Sequence, residues 1–276
     1  MIIDESLARG LANRLLTEID EAACVILLPP ERLRTHKPKP IQAWKSEFKR
    51  AAGLLYLGDI EVVSQNERIV TQLVLANAIV GHRLQDWSEP ALAVQMFVSR
   101  ISRRHPLLLT EDYLPMSLGR HALARMIQRL GAEAHGNELD YQRLRDMLQN
   151  MLFSSVPFAN MLGSAYAELG FERFLVPFDG GAFLGAVGDV NQLVVRTSIG
   201  ERHMHRQQRQ LVRALTELYE RERSPWIGMD FGGQHDEKLN AAVHAMLKAY
   251  RGAIELVDTD DSGSGNVREP MSSYEI

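Results

Sequence analysis

Apolar residues recur at helical spacing at the start of the chain. Leu7, Leu11, Leu15, Leu16 and Ile19 predict an amphipathic helix over 4–22, capped by Asp4 or Ser6. The apolar run CVILL (24–28) ends at Pro29 and Pro30 and reads as a strand or buried extended segment. Four prolines within 29–40, with Arg32, Arg34, His36, Lys37 and Lys39, predict a basic loop. A helix is expected over 40–55 and a strand over LYLGDIEVV (55–63). Two strongly apolar stretches, 66–84 and 88–104, read as helices, the second capped by Ser88 with Pro90 in its first turn. Residues 105–116 read as a connector.

The second half changes texture. A helix is expected over 117–131, with Ser117 as cap and Gly131 as stop, followed by helices over 139–153 and 157–170. ERFLVPF, DGGAFLGAVG and NQLVVRTSIG (172–200) read as two or three antiparallel strands, with Asp-Gly-Gly as a turn signal. GGAFLGAVG looks like a strand that must approach something closely, and Gly180 and Gly181 read as the turn. Long helices over 202–224 and 235–257 flank a loop at 224–234. The polar, acidic, Ser/Gly-rich stretch 258–276 is expected to be disordered. There is no internal repeat.

The order predicts an α+β fold, predominantly helical, with a small antiparallel β-sheet in the second half. Three parts follow. Residues 1–115 form a mainly helical region, 116–257 an α+β region with the candidate chemistry, and 258–276 a tail.

Composition narrows the function classes. The chain has 276 residues, 45% hydrophobic and 24% charged, enough for one large core or two modest ones. Net charge is −4, so any anion site must be a local arginine cluster. Cys24 is the sole cysteine, which excludes an intrachain disulfide and reads as a small buried hydrophobe in a cytoplasmic protein. The N-terminus carries acids and has no signal-peptide pattern, and no apolar run reaches 18 residues, so no membrane association is expected. A Gly-x-Gly-x-x-Gly turn, a P-loop and Cys-x-x-Cys are all missing, which argues against a dinucleotide enzyme, an NTPase and a zinc ribbon. His203 and His205 diverge by about 200° on a helix and have no cysteine or carboxylate pair nearby, so neither a metal nor another cofactor is expected.

The candidate chemistry starts on the 117–131 helix. Leu123, Met126, Ile127 and Leu130 form an aliphatic stripe, and His121, Arg125, Gln128 and Arg129 fall on the opposite side. That polar stripe contains no acid. Arginines one turn apart repel unless an anion lies between them, and their planar forks suit phosphate oxygens. A histidine one turn away can move a proton near neutral pH. The second element is LVVRTSIG (193–200). Simple alternation puts Arg196 and Ser198 on the side of Val194, and Val195 and Thr197 on the other, with Thr197 or Ser198 at hand to donate to a phosphate. Arg202, Arg206 and Arg209 widen a basic face. Such parts suit metal-free RNA cleavage, in which a base takes the 2′-hydroxyl proton, cations hold the phosphate and an acid protonates the leaving oxygen.

The order of a helix with "HALARMIQR", a further helix, and short strands ending in "VVRTSIG" resembles the BECR-type ribonuclease toxins, which embrace barnase-like, EndoU-like and RelE-like enzymes. The resemblance spans residues 117–200. It departs from the pattern in the long helical gap before the strands and in the negative net charge. It implies metal-independent cleavage of RNA by a bacterial toxin or defence effector. On it, His121, Arg125 and Thr197 would be catalytic, and Arg129, Gln128, Ser198 and Arg196 would bind substrate. The other reading is a non-enzymatic protein of a phage or mobile element, binding nucleic acid or a protein through the same arginines.

Overall fold

Asp4 starts the first helix: its Oδ1 accepts the backbone N–H of Ser6 at 2.8 Å, satisfying one of the free donors of the first turn. The computed structural model describes residues 3–26, 55–64, 67–80, 90–101, 108–133, 141–188, 193–222 and 235–255. The helix, α1, runs Glu5–Ile26. Its buried stripe is Ala8, Leu11, Ala12, Leu15, Leu16 and Ile19, whereas Leu7 is half exposed. The alanines let α1 lie close on its neighbours, and the stripe sits one position beyond the register that Leu7 implies. Cys24, Val25 and Ile26 belong to this helix, not to a strand.

Four strands follow: β1 (Leu55–Ser64), β2 (Glu67–Val80), β3 (Ala91–Ile101) and β4 (Leu108–Gly119). The expected strand at 55–63 is β1. The stretches read as helices over 66–84 and 88–104 are instead β2 and β3, and most of the expected connector lies in β4. The mainly helical reading of 1–115 therefore gives way, among the described residues, to one helix and four strands. An apolar run without clear period does not distinguish a helix from a strand flanked by strands on both sides.

The second half is α2 (Arg120–Glu133), α3 (Tyr141–Glu168), β5 (Arg173–Phe178), β6 (Gly181–Val187), β7 (Leu193–Gly200), a 3-10 turn (Glu201–His203), α4 (Arg206–Glu222), α5 (His235–Ala249) and α6 (Arg251–Glu255). Ser117 is not a helix cap; it is a buried residue of β4. The two helices expected over 139–170 are one, α3, which continues through Pro157. An interior proline costs about 3 kcal/mol. Here Ser155, Val156, Phe158 and Ala159 around it are all buried, and that packing holds the helix together. The expectations for 29–40, the 40–55 helix, the 224–234 loop and the 258–276 tail lie outside the described residues.

All seven strands form one sheet in the order β1-β2-β3-β4-β7-β6-β5. Two antiparallel meanders, β1–β4 and β5–β7, meet at a single parallel pairing: Met116, Ser117 and Leu118 of β4 oppose Leu193, Val194 and Val195 of β7. The register between β3 and β4 shifts between Ala93 and Gln95, so that Ala93 opposes Ser117 and Gln95 opposes Tyr113. Pro115 falls in that irregularity, where no ladder donor is needed. The fold is α+β, with a sheet that is larger than expected and mixed.

Helix α1 packs on β2 and α2, while α3 packs on β4, β5 and β6, with α5 against α3 and α4. In β5 and β6 consecutive residues are buried, Phe174 to Val176 and Ala182 to Leu184, so both faces of this end of the sheet are covered. Buried Tyr166 of α3 donates to the Leu175 carbonyl at 2.5 Å and accepts the Leu175 N–H at 3.2 Å. Arg251 caps the end of α3 through the Leu169 carbonyl at 3.0 Å and lies over the Phe171 ring.

A polar clasp joins α1 to α3. Tyr141 donates to Glu18 at 3.0 Å, Arg14 donates to Glu18 at 2.9 Å and lies 4.0 Å over the Tyr141 ring, and Arg145 stands 3.6 Å from the same carboxylate. Burial raises the Glu18 carboxyl, but the hydrogen bonds from Arg14 and Tyr141 outweigh it and hold the group below the usual carboxylate range. Burial, then the hydrogen bond to Glu18, pushes the Tyr141 phenol up to about 12. A phenol raised in the folded state favours folding fully below its ordinary value of 10.0, and that contribution disappears as pH rises through about 12. Urea midpoints of the native chain should therefore drop over pH 10 to 12. Tyr141→Phe should start lower and drop less over that interval; an equal drop in both chains would remove Tyr141 as the cause.

Candidate functional site

Helix α2 buries Leu123, Met126 and Ile127 as expected, with Ala122 and Ala124 beside them. Its opposite side presents His121, Arg125 and Arg129, all exposed, one turn apart from each other, with Gln128 half buried between the last two. Arg125 and Arg129 therefore reach solvent on a helix whose inner face is fixed in the core.

Helix and strand are joined by Arg129. Its Nη1 donates to the Thr197 hydroxyl at 2.7 Å and also to the Ser198 carbonyl. The two segments singled out in the sequence, 68 residues apart at this contact, thus meet in space. Residues read as separate phosphate ligands are here one unit: Arg129 holds the end of β7. His121 lies two turns back on α2, about 12 Å along the helix axis from Arg129. Arg125 stands between them.

The bond limits where the Thr197 proton can point. The Thr197 oxygen accepts from a cation that has no acceptor of its own, so the hydroxyl hydrogen points away from Arg129. A threonine held this way is a donor.

The alternation expected in β7 fails at Arg196. Leu184 opposes Thr197 while the next residue of β6, Gly185, opposes Val195, so Arg196 is a bulge with no partner in the register. Leu193 and Val195 are buried before the bulge and Ser198 after it, whereas Arg196 is exposed. Ser198 is thus buried like Leu193 and Val195 and does not continue the Val194 side as simple alternation implies. Strand β6 has the matching signal. A Cβ on Gly185 would run into the Val194 carbonyl and the Phe174 ring, and one on Gly181 into the Ile199 carbonyl and the Phe178 ring. The close approach expected of GGAFLGAVG is therefore to β7 and to two aromatic rings of β5. Gly180 is the turn residue, with φ +86°, and Gly181 is the first residue of β6. The interior glycine was the signal for the bulge.

The site is supported from behind. Ser154 of α3 accepts the Asp179 N–H at 2.8 Å, which ties the β5–β6 turn to the helix. The Glu201 N–H donates to the Gly180 carbonyl at 2.9 Å, closing the same end of β7. Among the described residues, no three His, Cys, Asp or Glu side chains are grouped to hold a metal ion. Nor is any described helix long and apolar enough to cross a membrane. No protein family model, no curated protein and no solved structure matches the chain.

Gly185→Ala tests the bulge. The added methyl meets a backbone carbonyl that cannot move without breaking β7, so the variant should lose about 1–3 kcal/mol of stability in urea unfolding. A variant as stable as the native chain would mean that the bulge relaxes freely.

Proposed function

We propose that the protein is a metal-independent ribonuclease whose site is the α2–β7 face, acting as a bacterial toxin or defence effector in the cytoplasm. What carries this reading is the hydrogen bond from Arg129 to Thr197, which sets the exposed His121–Arg125 stripe and an oriented hydroxyl on adjoining elements. The phosphate would lie against Arg125 and the Thr197 hydroxyl. The free edge of the Arg129 guanidinium would complete the cradle, with Gln128, Ser198 and Arg196 at its margins. His121 moves the proton, as base toward the 2′-hydroxyl or as acid toward the leaving 5′-oxygen. The 2′-oxygen bonds to phosphorus as the bond to the 5′-oxygen breaks, leaving a 2′,3′-cyclic phosphate and a 5′-hydroxyl. Arginine and threonine donors meet the charge that builds on the phosphoryl oxygens.

A second reading is favoured by Arg129 itself. Its Nη1 is engaged within the protein, which ties α2 to β7 and fixes a basic surface even without a substrate. Such a surface suits a protein that binds nucleic acid, or an acidic protein, without cleaving it.

Induced expression in bacteria separates the two. The native chain should arrest growth and fragment total RNA. Purified His121→Ala should cleave about 10²–10⁴-fold more slowly in single turnover while keeping its circular dichroism. Arg125→Ala should lose about 10²-fold or more. Intact RNA and unhindered growth with the native chain would sink the nuclease and leave the binding protein.

A further inference from the structure

Directly after β7 the chain turns basic. From Glu201 to Thr216 there are four arginines, Arg202, Arg206, Arg209 and Arg213, and one acid, Glu201, a formal charge of +3 in a chain of −4; the exposed acids Glu217 and Glu220 follow on the same side of α4 and bound the basic stretch at its far end. Arg206, Arg209 and Arg213 fall within about 60° of one another on the outer side of α4. Arg202, Arg206 and Arg213 are exposed and Arg209 is half exposed. Glu201 sits 3.7 Å from Arg213, with both side chains largely in solvent, and so offsets little of this charge.

The fold does not need these cations. Met204, Gln208, Leu211, Leu215 and Leu218 are the buried residues that seat the turn and helix. The Gln208 side chain accepts the His205 N–H at 3.0 Å, as a cap. The arginines work against local stability. Arg206 and Arg209, at the start of α4, oppose the macrodipole by about 0.3–1 kcal/mol each, and Arg209 and Arg213 repel at i, i+4, although Glu217 stands one turn beyond Arg213 with the opposite charge. An anionic partner turns that cost into attraction.

We infer that the Arg202–Arg213 surface is a second contact for RNA, gripping the sugar-phosphate backbone beyond the α2–β7 site. The inference rests on the ribonuclease reading for its choice of RNA. Arg202 is five residues from Thr197, within about 17 Å along an extended chain, so a strand held at the site can continue onto the patch. Arginine forks match phosphate oxygens. A membrane is the poorer fit, because an interfacial helix needs exposed apolar side chains. Among the described residues, Leu7 on α1 is the large hydrophobic that stands exposed, far along the chain from this patch.

The test is binding of a fluorescein-labelled single-stranded RNA 12-mer, by anisotropy over a salt series, in the His121→Ala chain. The combined variant Arg206→Gln, Arg209→Gln, Arg213→Gln, in that background, should bind more weakly at every salt concentration. Its log–log salt slope should be shallower by about 2, near 0.7 per lost contact. Glutamine keeps helix propensity, so α4 remains. Arg9→Gln, which removes an exposed arginine of α1, should leave the slope as it was. A triple variant with native slope overturns the patch. So does capture of phosphatidylserine vesicles or polyglutamate in preference to the RNA. The cleavage assay is separate: RNA bound through the patch but never cut would remove the nuclease and spare the patch, and the reverse result would do the opposite.

Discussion

Three backbone pairings, between Met116–Leu118 and Leu193–Val195, hold the two meanders together, and the rest of the second half is arranged by them. A parallel pair cannot be closed by a hairpin; the chain must leave the end of one strand and return to the start of the other. Helices α2 and α3 and strands β5 and β6 are that return. Because α2 leaves where β4 ends, and because β7 runs on past its last pairing at Val195, the helix meets the part of β7 that has outrun its neighbour. Arg129 supplies a donor to the Ser198 carbonyl at that point, where strand pairing with β4 has ceased. The location of the candidate site is thus a consequence of topology rather than of the site residues themselves.

Local chemistry was legible in the sequence where one rule dominated. The cap at Asp4, the stripe of Leu123, Met126 and Ile127, the β5–β6 turn and the strand at 55–63 follow from side-chain pattern and turn preference. The failures share a cause. In 66–104, apolar residues are so dense that helical and extended readings fit alike, and β2, at 14 residues, exceeds the usual strand length. The gap expected between the helices 139–153 and 157–170 is absent, because local sequence does not reveal that the neighbours of Pro157 are buried. The parallel pair depends on residues far apart in the chain, which no local pattern encodes.

The site was half legible. The sequence offered His121, Arg125, Arg129 and Thr197, and the structure joins two of them directly. The parity of β7 was not legible from β7 alone. It is set by the bulge opposite Gly185, so the side on which Thr197 and Ser198 lie is decided by a glycine in another strand. The basic face of Arg202, Arg206 and Arg209 was legible too, because residues 202–213 hold four arginines and no acid within a chain whose total is acidic.

Strand β5 ends the sheet, and an end strand offers unpaired backbone groups to any other chain with an open edge. Here the edge is closed from within. Both backbone groups of Leu175 are taken by the one hydroxyl of Tyr166, which serves as a single-residue stand-in for a missing strand. Two residues on, at the same parity, Pro177 has no N–H to give. A growing stack of sheets would find its ladder refused at two successive rungs. Tyr166 thus closes this edge from inside the core, and its hydroxyl satisfies two buried backbone groups that a phenylalanine of the same shape would leave unpaired.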